Sequence, residues 1–487
     1  MSVSLLRVAS ARPSATSVSE RLIYHLSLDR AFSSVCPDIL ARERFLSILI
    51  DLTDVKEDIC RRQELIRVFQ SSPDLLDSLC GLASRMNELA HAHREAGREE
   101  HRLCMDGHES VQAIKNILQM RAINLRRALL FAKGMKGLLM PYATQAEALK
   151  ELYEMCHALT TEDSCAELLS YCTKYERFQL SGHTDLRLTW DEDGYIRRCE
   201  VIDHRFIHVS DPELKKRGLA LLRRVEETVY PCARVYPNAN SFYGDLIGVG
   251  LKELSQTFSV MTDQILQRFE ALQSELEFYT VALRYLAKLS ERGIPYCFPT
   301  LGGEGIRANG LYDLLLALTA DDPSRVIPND VDTTVYKGGL IVYGEGGSGK
   351  TVYLRAIGAM QVLAQAGLPI PCREAEIAPC RQIATQFSEA EKEFCAGNEA
   401  GRFEQEVREL AVMVDSLQQG ALVLLNETFQ STAYAEGAEG LYHLLQYFSD
   451  CGIRWILVSH LHQLCDLLGP EDAAVMRTEA GYRIVCE

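Results

Sequence analysis

No stretch of this chain approaches eighteen uncharged apolar residues, so no segment reads as a membrane span. Close cysteine pairs are missing too. Of the 16 cysteines none forms a Cys-x-x-Cys pair, and Cys372 and Cys380 stand too far apart for a tight metal knuckle. With no secretory leader ahead of them, they read as reduced, mostly buried thiols of a cytoplasmic protein. Positive charge is in deficit. A formal net charge of -16 excludes coating of nucleic acid by bulk electrostatics, while a local basic surface stays compatible with it. The length of 487 residues suggests about three domains and ample core.

The opening residues 1–19 carry Arg7, Arg12, several serines and no acid, a composition shared with transit peptides. Val3-Ser4-Leu5-Leu6 equally reads as a short first strand, which is the reading adopted here. From Glu20 to Arg292 the chain is helix-rich. Leu251, Leu254, Phe258, Met261, Ile265, Phe269, Leu272, Leu276, Tyr279, Leu283 and Leu286 step by three or four without an internal Gly or Pro. Such a helix would run on the order of 50 Å at 1.5 Å per residue. That length suits a lever or coiled-coil arm, packed against an outgoing stretch such as Glu99 to Phe131. Between the arms, Leu186, Leu188 and Trp190 alternate with polar residues. Asp193-Gly194 then makes a tight turn, and Tyr195 to Ile202 supplies a second strand. Lys174, Arg177, Arg187, Arg197, Arg198, Arg205, Lys215, Lys216 and Arg217 gather near this tip. They read either as a nucleic-acid contact or as a solvated charged surface, since acids are interleaved. The expected organisation is a helical core over 1–95, lever arms over 96–292 with a β tip near 180–208, and an α/β domain over 293–487.

Beyond the Gly293-Ile294-Pro295 break, apolar strands alternate with helices: Leu340 to Tyr343, Leu422 to Leu425 and Trp455 to Val458. The strand Gly339 to Tyr343 runs into Gly344-Glu345-Gly346-Gly347-Ser348-Gly349-Lys350-Thr351, and a helical pattern opens at Val352. A strand, a glycine loop and a helix N-terminus leave backbone N–H groups converging on one concavity, which suits phosphate. A chance glycine-rich turn is the alternative, and the flanking strand and helix argue against it. Lys350 would reach the terminal phosphates of a nucleoside triphosphate and Thr351 would bind Mg²⁺. The apolar strand Ala421 to Leu425 ends in Asn426-Glu427, where Mg²⁺ and a water-polarising base are needed. Asn426 brings no charge to that position. His460, after the strand Trp455 to Ser459, can contact the γ-phosphate or the attacking water.

These motifs together resemble the MutS family of DNA mismatch-repair ATPases. Arg325-Val326-Ile327-Pro328-Asn329-Asp330 resembles the family's nucleotide-base segment, and Tyr353-Leu354-Arg355 follows the loop as it does there. Leu363 to Gly367, Ile370-Pro371, Ala375-Glu376-Ile377 and Pro379 repeat the next helix and strand. Phe403 and Glu406 fit the segment that reaches a partner subunit's nucleotide. Ser431 to Tyr434 with Gly437, Ser459-His460, and Tyr296-Cys297 with Pro299 complete the likeness. Leu26 to Phe32 and Arg62-Gln63-Glu64 resemble the start of the family's core domain. The resemblance implies an ABC-type P-loop ATPase domain preceded by a mostly α-helical core and lever with a small β clamp. It further implies ATP and Mg²⁺ as cofactors, double-stranded DNA as partner, and a homodimer joined through the ATPase heads or a heteromeric equivalent. By that likeness Gly344, Gly346, Gly347, Ser348, Gly349, Lys350, Thr351, Val352, Ile327, Pro328 and Asn329 hold nucleotide. Thr351, Asn426 and Glu427 hold the metal, and Lys350, Glu427 and His460 carry the chemistry.

The departures from the family pattern are specific. No Phe-x-Glu wedge precedes the core, so direct reading of mismatches is not implied. Gly401, beside Arg402, stands at the signature serine position. Val326 stands where the family stacks an aromatic on adenine, and the family's dimerising helices are not found before Glu487. Two functions follow: an ATP-driven DNA clamp, or a weakly hydrolysing nucleotide switch. A transporter or chromosome-structural ATPase fits less well, for want of the transporter signature and of a very long coiled coil.

Overall fold

The structure, a computed structural model, describes residues 3–8, 20–105, 111–177, 182–190, 196–206, 232–235, 241–334, 339–387, 402–429, 434–469 and 472–486. The chain forms two compact units, one from Asp77–Gln273 and the other from Ser4–Leu76 together with Ser274–Glu487. The second is an α/β unit built from both ends of the chain.

The first part of the α/β unit opens on a segment that bends at Leu5 to Arg7 and buries Leu5 and Leu6, and is not the strand expected over Val3 to Leu6. Its backbone is held by side chains instead of a ladder. Glu275 accepts the Leu5 N–H at 2.7 Å, and Tyr279 donates its hydroxyl to the Leu5 carbonyl at 2.7 Å. Arg61 donates to the Ser4 carbonyl at 2.7 Å and Arg62 to the Leu6 carbonyl at 3.0 Å. Leu5 and Leu6 fill the core below. Every one of these donors and acceptors is thereby satisfied without a neighbouring strand. Helices α1 (Glu20–His25), α2 (Leu28–Ser33), α3 (Ile39–Ile50) and α4 (Lys56–Ser71) follow. Asp38 caps α3 by accepting the Leu40 N–H at 3.0 Å.

Helices α5 (Pro73–Met105), α6 (Val111–Leu139), α7 (Glu147–Leu159) and α8 (Glu162–Glu176) lead through the helical unit. They are followed by strands β1 (Gly182–Trp190), β2 (Ile196–Phe206) and β3 (Cys232–Val235), then α9 (Ser241–Arg268). β1 and β2 pair antiparallel, as their alternation predicts, from Gly182 opposite Phe206 to Trp190 opposite Ile196. β3, too short to announce itself by periodicity, adds to the other edge of β1. The turn at Asp193-Gly194 and Lys215, Lys216 and Arg217 lie outside the described residues. So do the side chains of Arg187, Arg197, Arg198 and Arg205.

The single long helix expected from Leu251 to Leu286 is two. α9 ends at Arg268 and α10 (Leu272–Glu291) begins after a turn. There the Phe269 N–H reaches Leu266 at 3.0 Å and the Leu272 N–H reaches Phe269 at 3.1 Å, three-residue bonds in place of four-residue ones. The apolar stepping survives because Phe269 still turns inward, edge-on to Phe131 of α6 at 5.1 Å. Periodicity reports the buried face and does not see this local change of ladder. α9 packs on α6, with Phe258 edge-on to Tyr175 of α8 at 5.8 Å. The expected outgoing partner, Glu99 to Phe131, is divided between α5 and α6.

The rest of the α/β unit holds β4 (Thr300–Leu301), β5 (Ile306–Leu311), α11 (Leu314–Thr319), β6 (Asn329–Asp332), β7 (Gly339–Tyr343), α12 (Lys350–Gln365), β8 (Glu374–Ile377) and β9 (Ile383–Phe387). After these come α13 (Arg402–Ser416), β10 (Leu422–Asn426), α14 (Tyr434–Asp450), β11 (Arg454–Ser459), α15 (His462–Leu467), β12 (Ala473–Glu479) and β13 (Arg483–Cys486). One sheet has the order β13-β12-β7-β11-β10-β9 and is parallel except for the final β12/β13 pair. β10 is buried along its whole length, which is why it reads as an unbroken apolar run. A second sheet has the order β4-β8-β5-β6. α12 lies so close to the first sheet that a Cβ at Gly358 would sit 2.6 Å from both Leu26 and Leu424 side chains. Among the described residues no helix is long and apolar enough to cross a membrane.

Candidate functional site

Because β7, β10 and β11 are parallel neighbours, their carboxyl ends share one edge of the sheet, where Tyr343 pairs with Ser459 and Asn426 with Val458. The loops leaving that edge are Gly344 to Gly349, Glu427 onward and His460. Topology therefore brings together three motifs that lie far apart in the chain.

The glycine loop joins β7 to α12, as expected. Gly344 has φ +147°, and a Cβ there would fall 1.8 Å from the Thr478 hydroxyl of β12, so only glycine fits. Gly349 takes φ +96° at the start of α12. Lys350 is buried, and its ammonium donates to the carbonyls of Gly344 at 2.8 Å and Glu345 at 2.7 Å. Burial lowers the pKa of this amine, and the negative charge of Glu427 opposes the shift. Thr351 donates its hydroxyl to the Asn426 side-chain oxygen at 3.0 Å. Glu427 leaves β10 in the left-handed region at φ 58°, while its N–H still reaches the Val458 carbonyl at 2.8 Å. A non-glycine residue held there stores about 1–3 kcal/mol, a feature that clusters at functional positions. His460 Nε2 lies 2.8 Å from Glu427 Oε1, so the imidazole holds the carboxylate in place.

A cleft of about 600 Å³ opens beside the loop. Of the residues singled out from sequence, Gly347, Ser348, Gly349, Lys350, Thr351, Val352, Ile327, Asn329 and Glu427 line it. Gly344, Gly346, Pro328, Asn426 and His460 are not on its wall; Asn426 and His460 join the site through Thr351 and Glu427. Thr351 and Asn426 offer oxygen donors beside the Glu427 carboxylate, a hard set that suits Mg²⁺. Among the described residues no group of three or more His, Cys, Asp or Glu side chains forms a metal cluster.

Two features were not legible beforehand. Tyr482, in the β12/β13 turn at φ 61°, is exposed and walls the cleft beside Gly349. Asn329 places it, donating to the Tyr482 carbonyl at 3.1 Å and accepting the Ile484 N–H at 2.8 Å. The other is Asp313, which caps α11 at the Leu316 N–H and takes both arms of Arg355 at 2.7 Å. Neither carries a motif, since each acts through a partner remote in sequence. Glu406 accepts the Phe429 N–H at 3.2 Å within this chain. Gly401, Ser431, Thr432 and Ala433 and the side chains of Phe403 and Tyr434 lie outside the described residues.

Residues 340–480 match the family MutS domain V. The chain is 28% identical over 191 residues to the DNA mismatch repair protein MutS of Granulibacter bethesdensis, covering 38% of this chain and 20% of that protein. It is 26% identical over 254 residues to the DNA mismatch repair protein MutS 2 of Halobacterium salinarum, covering 52% and 26%. With the DNA mismatch repair protein MutS of Synechococcus sp. strain CC9605 the identity is 30% over 183 residues, covering 36% and 19%. The chain thus spans about a fifth to a quarter of the length of these relatives.

Proposed function

The chain is a MutS family member through its domain at residues 340–480, and from that premise we propose that it is an ATPase that couples nucleotide state to DNA binding. The observation that carries this reading is the convergence of Lys350, Thr351–Asn426 and Glu427–His460 at one sheet edge. The triphosphate lies along the N–H groups of the glycine loop and the start of α12, favoured there by the positive end of the helix. Lys350 leaves the Gly344 and Glu345 carbonyls for the terminal phosphates. Its low exposure sharpens the preference for an anion over those neutral acceptors. Ile327, Asn329 and Val352 with Val326 form the side of the cleft that takes the base. Thr351, Asn426 and Glu427 would hold Mg²⁺, which neutralises phosphate charge when bound. Glu427, fixed by His460, takes a proton from the attacking water as general base.

On this reading two heads pair across their nucleotides, as a homodimer or with a different partner subunit, and the helical arms close on duplex or branched DNA. Contacts to phosphates would read shape in place of base identity. The test is binding of a fluorescent ATP analogue with Mg²⁺, together with salt-dependent binding to plain, mismatched and branched duplexes with and without ATP. Lys350→Ala is expected to lower nucleotide affinity at least about tenfold and to uncouple DNA binding from ATP. No DNA binding to any duplex at low salt would defeat the clamp reading. A second reading, a nucleotide switch with slow turnover, is favoured by the uncharged Asn426 already engaged by Thr351. Phosphate release by the purified protein separates the two.

A further inference from the structure

A second cleft of the α/β unit, about 930 Å³, is lined by Cys297, Arg307, Asp332, Glu374, Met476 and Cys486 among others. At its wall the Sγ atoms of Cys297 and Cys372 lie 3.4 Å apart, although 75 positions separate the residues. The backbone enforces this meeting. Cys297 and Ile370 exchange both hydrogen bonds of an antiparallel bridge, at 3.0 and 2.8 Å, and Cys372 follows Ile370 by two residues. A tight turn at Pro371, in which the Cys372 N–H reaches the Ile370 carbonyl at 2.8 Å, folds Cys372 back onto Cys297. The two thiols differ in access. Cys297 is half-buried and faces the cleft, whereas Cys372 is fully buried behind it.

Their chemistry differs in the same direction. The hydrogen bond it shares with Cys372 holds the Cys297 thiol below its usual pKa, against the effect of burial. That same bond, with burial, pushes Cys372 up. Elsewhere, burial drives Cys156 up to about 12 and Cys172 and Cys380 up to about 11, as expected of inert core thiols. We propose that Cys297 and Cys372 are a redox-modification site, a dithiol that takes a small peroxide through the cleft and closes to a disulfide. The Cys297 thiolate attacks one peroxide oxygen, and the O–O bond breaks. Sulfur loses two electrons and becomes a sulfenic acid, while the departing hydroxide takes a proton and leaves as water. The Cys372 sulfur then attacks the Cys297 sulfur. The S–S bond forms as the S–O bond breaks, and the Cys372 proton leaves with that hydroxide as a second water. The sulfurs need only close from 3.4 Å to about 2 Å. Cellular thiols reverse the bond, which makes the site a switch in a reducing compartment. The bond would staple the segment leading into β4 to the segment leading into β8.

The experiment treats the reduced full-length protein with graded hydrogen peroxide and maps cysteines by mass spectrometry after non-reducing digestion. The expected result is a peptide linking Cys297 to Cys372, lighter by two hydrogens, and a rise in melting temperature that dithiothreitol reverses. In Cys372→Ser the link is lost and dimedone captures a sulfenic acid on Cys297. In Cys297→Ser, Cys372 remains a thiol. The proposal is overturned if both cysteines stay unlinked while the exposed Cys60 and Cys486 are oxidised, or if the link forms only in denaturant. It is also overturned if Cys372, not Cys297, takes the sulfenic acid. Mapping of the wild-type chain decides the matter even if a variant fails to fold.

Discussion

At the residue scale, Asn426 and Glu427 are adjacent in sequence yet hold different positions. Asn426 ends a buried strand and is bonded to Thr351; Glu427 has turned out of the strand to meet His460. If Asn426 helps hold Mg²⁺ as proposed, its amide contributes an oxygen without charge, so Asn426→Asp should raise the ATPase rate about tenfold and lower the Mg²⁺ required. Malachite-green phosphate release over a Mg²⁺ series measures this; an unchanged rate would mean that position 426 does not limit turnover. Glu427→Gln should lower turnover about 100-fold or more while leaving nucleotide binding intact. Far from this site, Glu275 is buried under the Ser4–Val8 segment, and burial raises its carboxyl pKa against the hydrogen bonds from Ser4 and Leu5. With the folded pKa above the unfolded one, the native state binds more protons between the two values. Stability therefore falls as pH rises from the ordinary carboxyl value through the raised one. Denaturant melts across that range should show the decline, and Glu275→Gln should flatten it.

At the scale of elements, α12 is the part on which the proposed chemistry would depend. Its first turn carries Lys350 and Thr351, its middle is pressed onto β10, and Arg355 is pinned by Asp313. A helix interior ordinarily gains about 1 kcal/mol from Gly→Ala. At Gly358 the added methyl would meet two core side chains at 2.6 Å, and overpacking costs about 1–3 kcal/mol. The clash wins. Gly358→Ala should lower stability by ~1 kcal/mol in urea titration, and a more stable variant would show that Leu26 and Leu424 can yield. Strand β7 and the glycine loop were legible because a buried strand and a glycine-rich strand-to-helix loop each have local signatures. The β12/β13 turn was not: its role depends on Asn329, 153 positions from Tyr482. The break between α9 and α10 was hidden for a different reason, since both helices keep the same apolar step across it.

At the scale of the molecule, the α/β unit takes its core from two distant segments. Leu26 packs on Gly358, and His25 stacks on Phe387 at 4.8 Å. Gln365 donates to the Thr53 carbonyl at 2.9 Å, Gln63 to that of Pro299 at 3.2 Å, and Tyr285 to that of Pro369 at 3.1 Å. A fragment of residues 293–487 would leave these groups facing water or unpaired. It is expected to express as aggregate or to bind a hydrophobic dye, and co-expression of residues 1–76 with residues 274–487 should restore a soluble complex. A cooperative melt of 293–487 alone would contradict this. Such a result would mean that the segments around Leu26 and Gln63 are dispensable to the folding of residues 293–487.

What the amino-acid sequence by itself determined is local and periodic. It specified the buried strands, the glycine loop, the alternating hairpin of the helical unit, and the family likeness that residues 340–480 bear out. These are legible because side-chain period and loop chemistry act over a few residues. Tertiary structure alone decided which distant groups meet. It put His460 on Glu427, Asn329 under Tyr482, Asp313 on Arg355 and Cys372 on Cys297. Those contacts follow from strand order and register, set by the packing of the whole unit, and no window of sequence contains them.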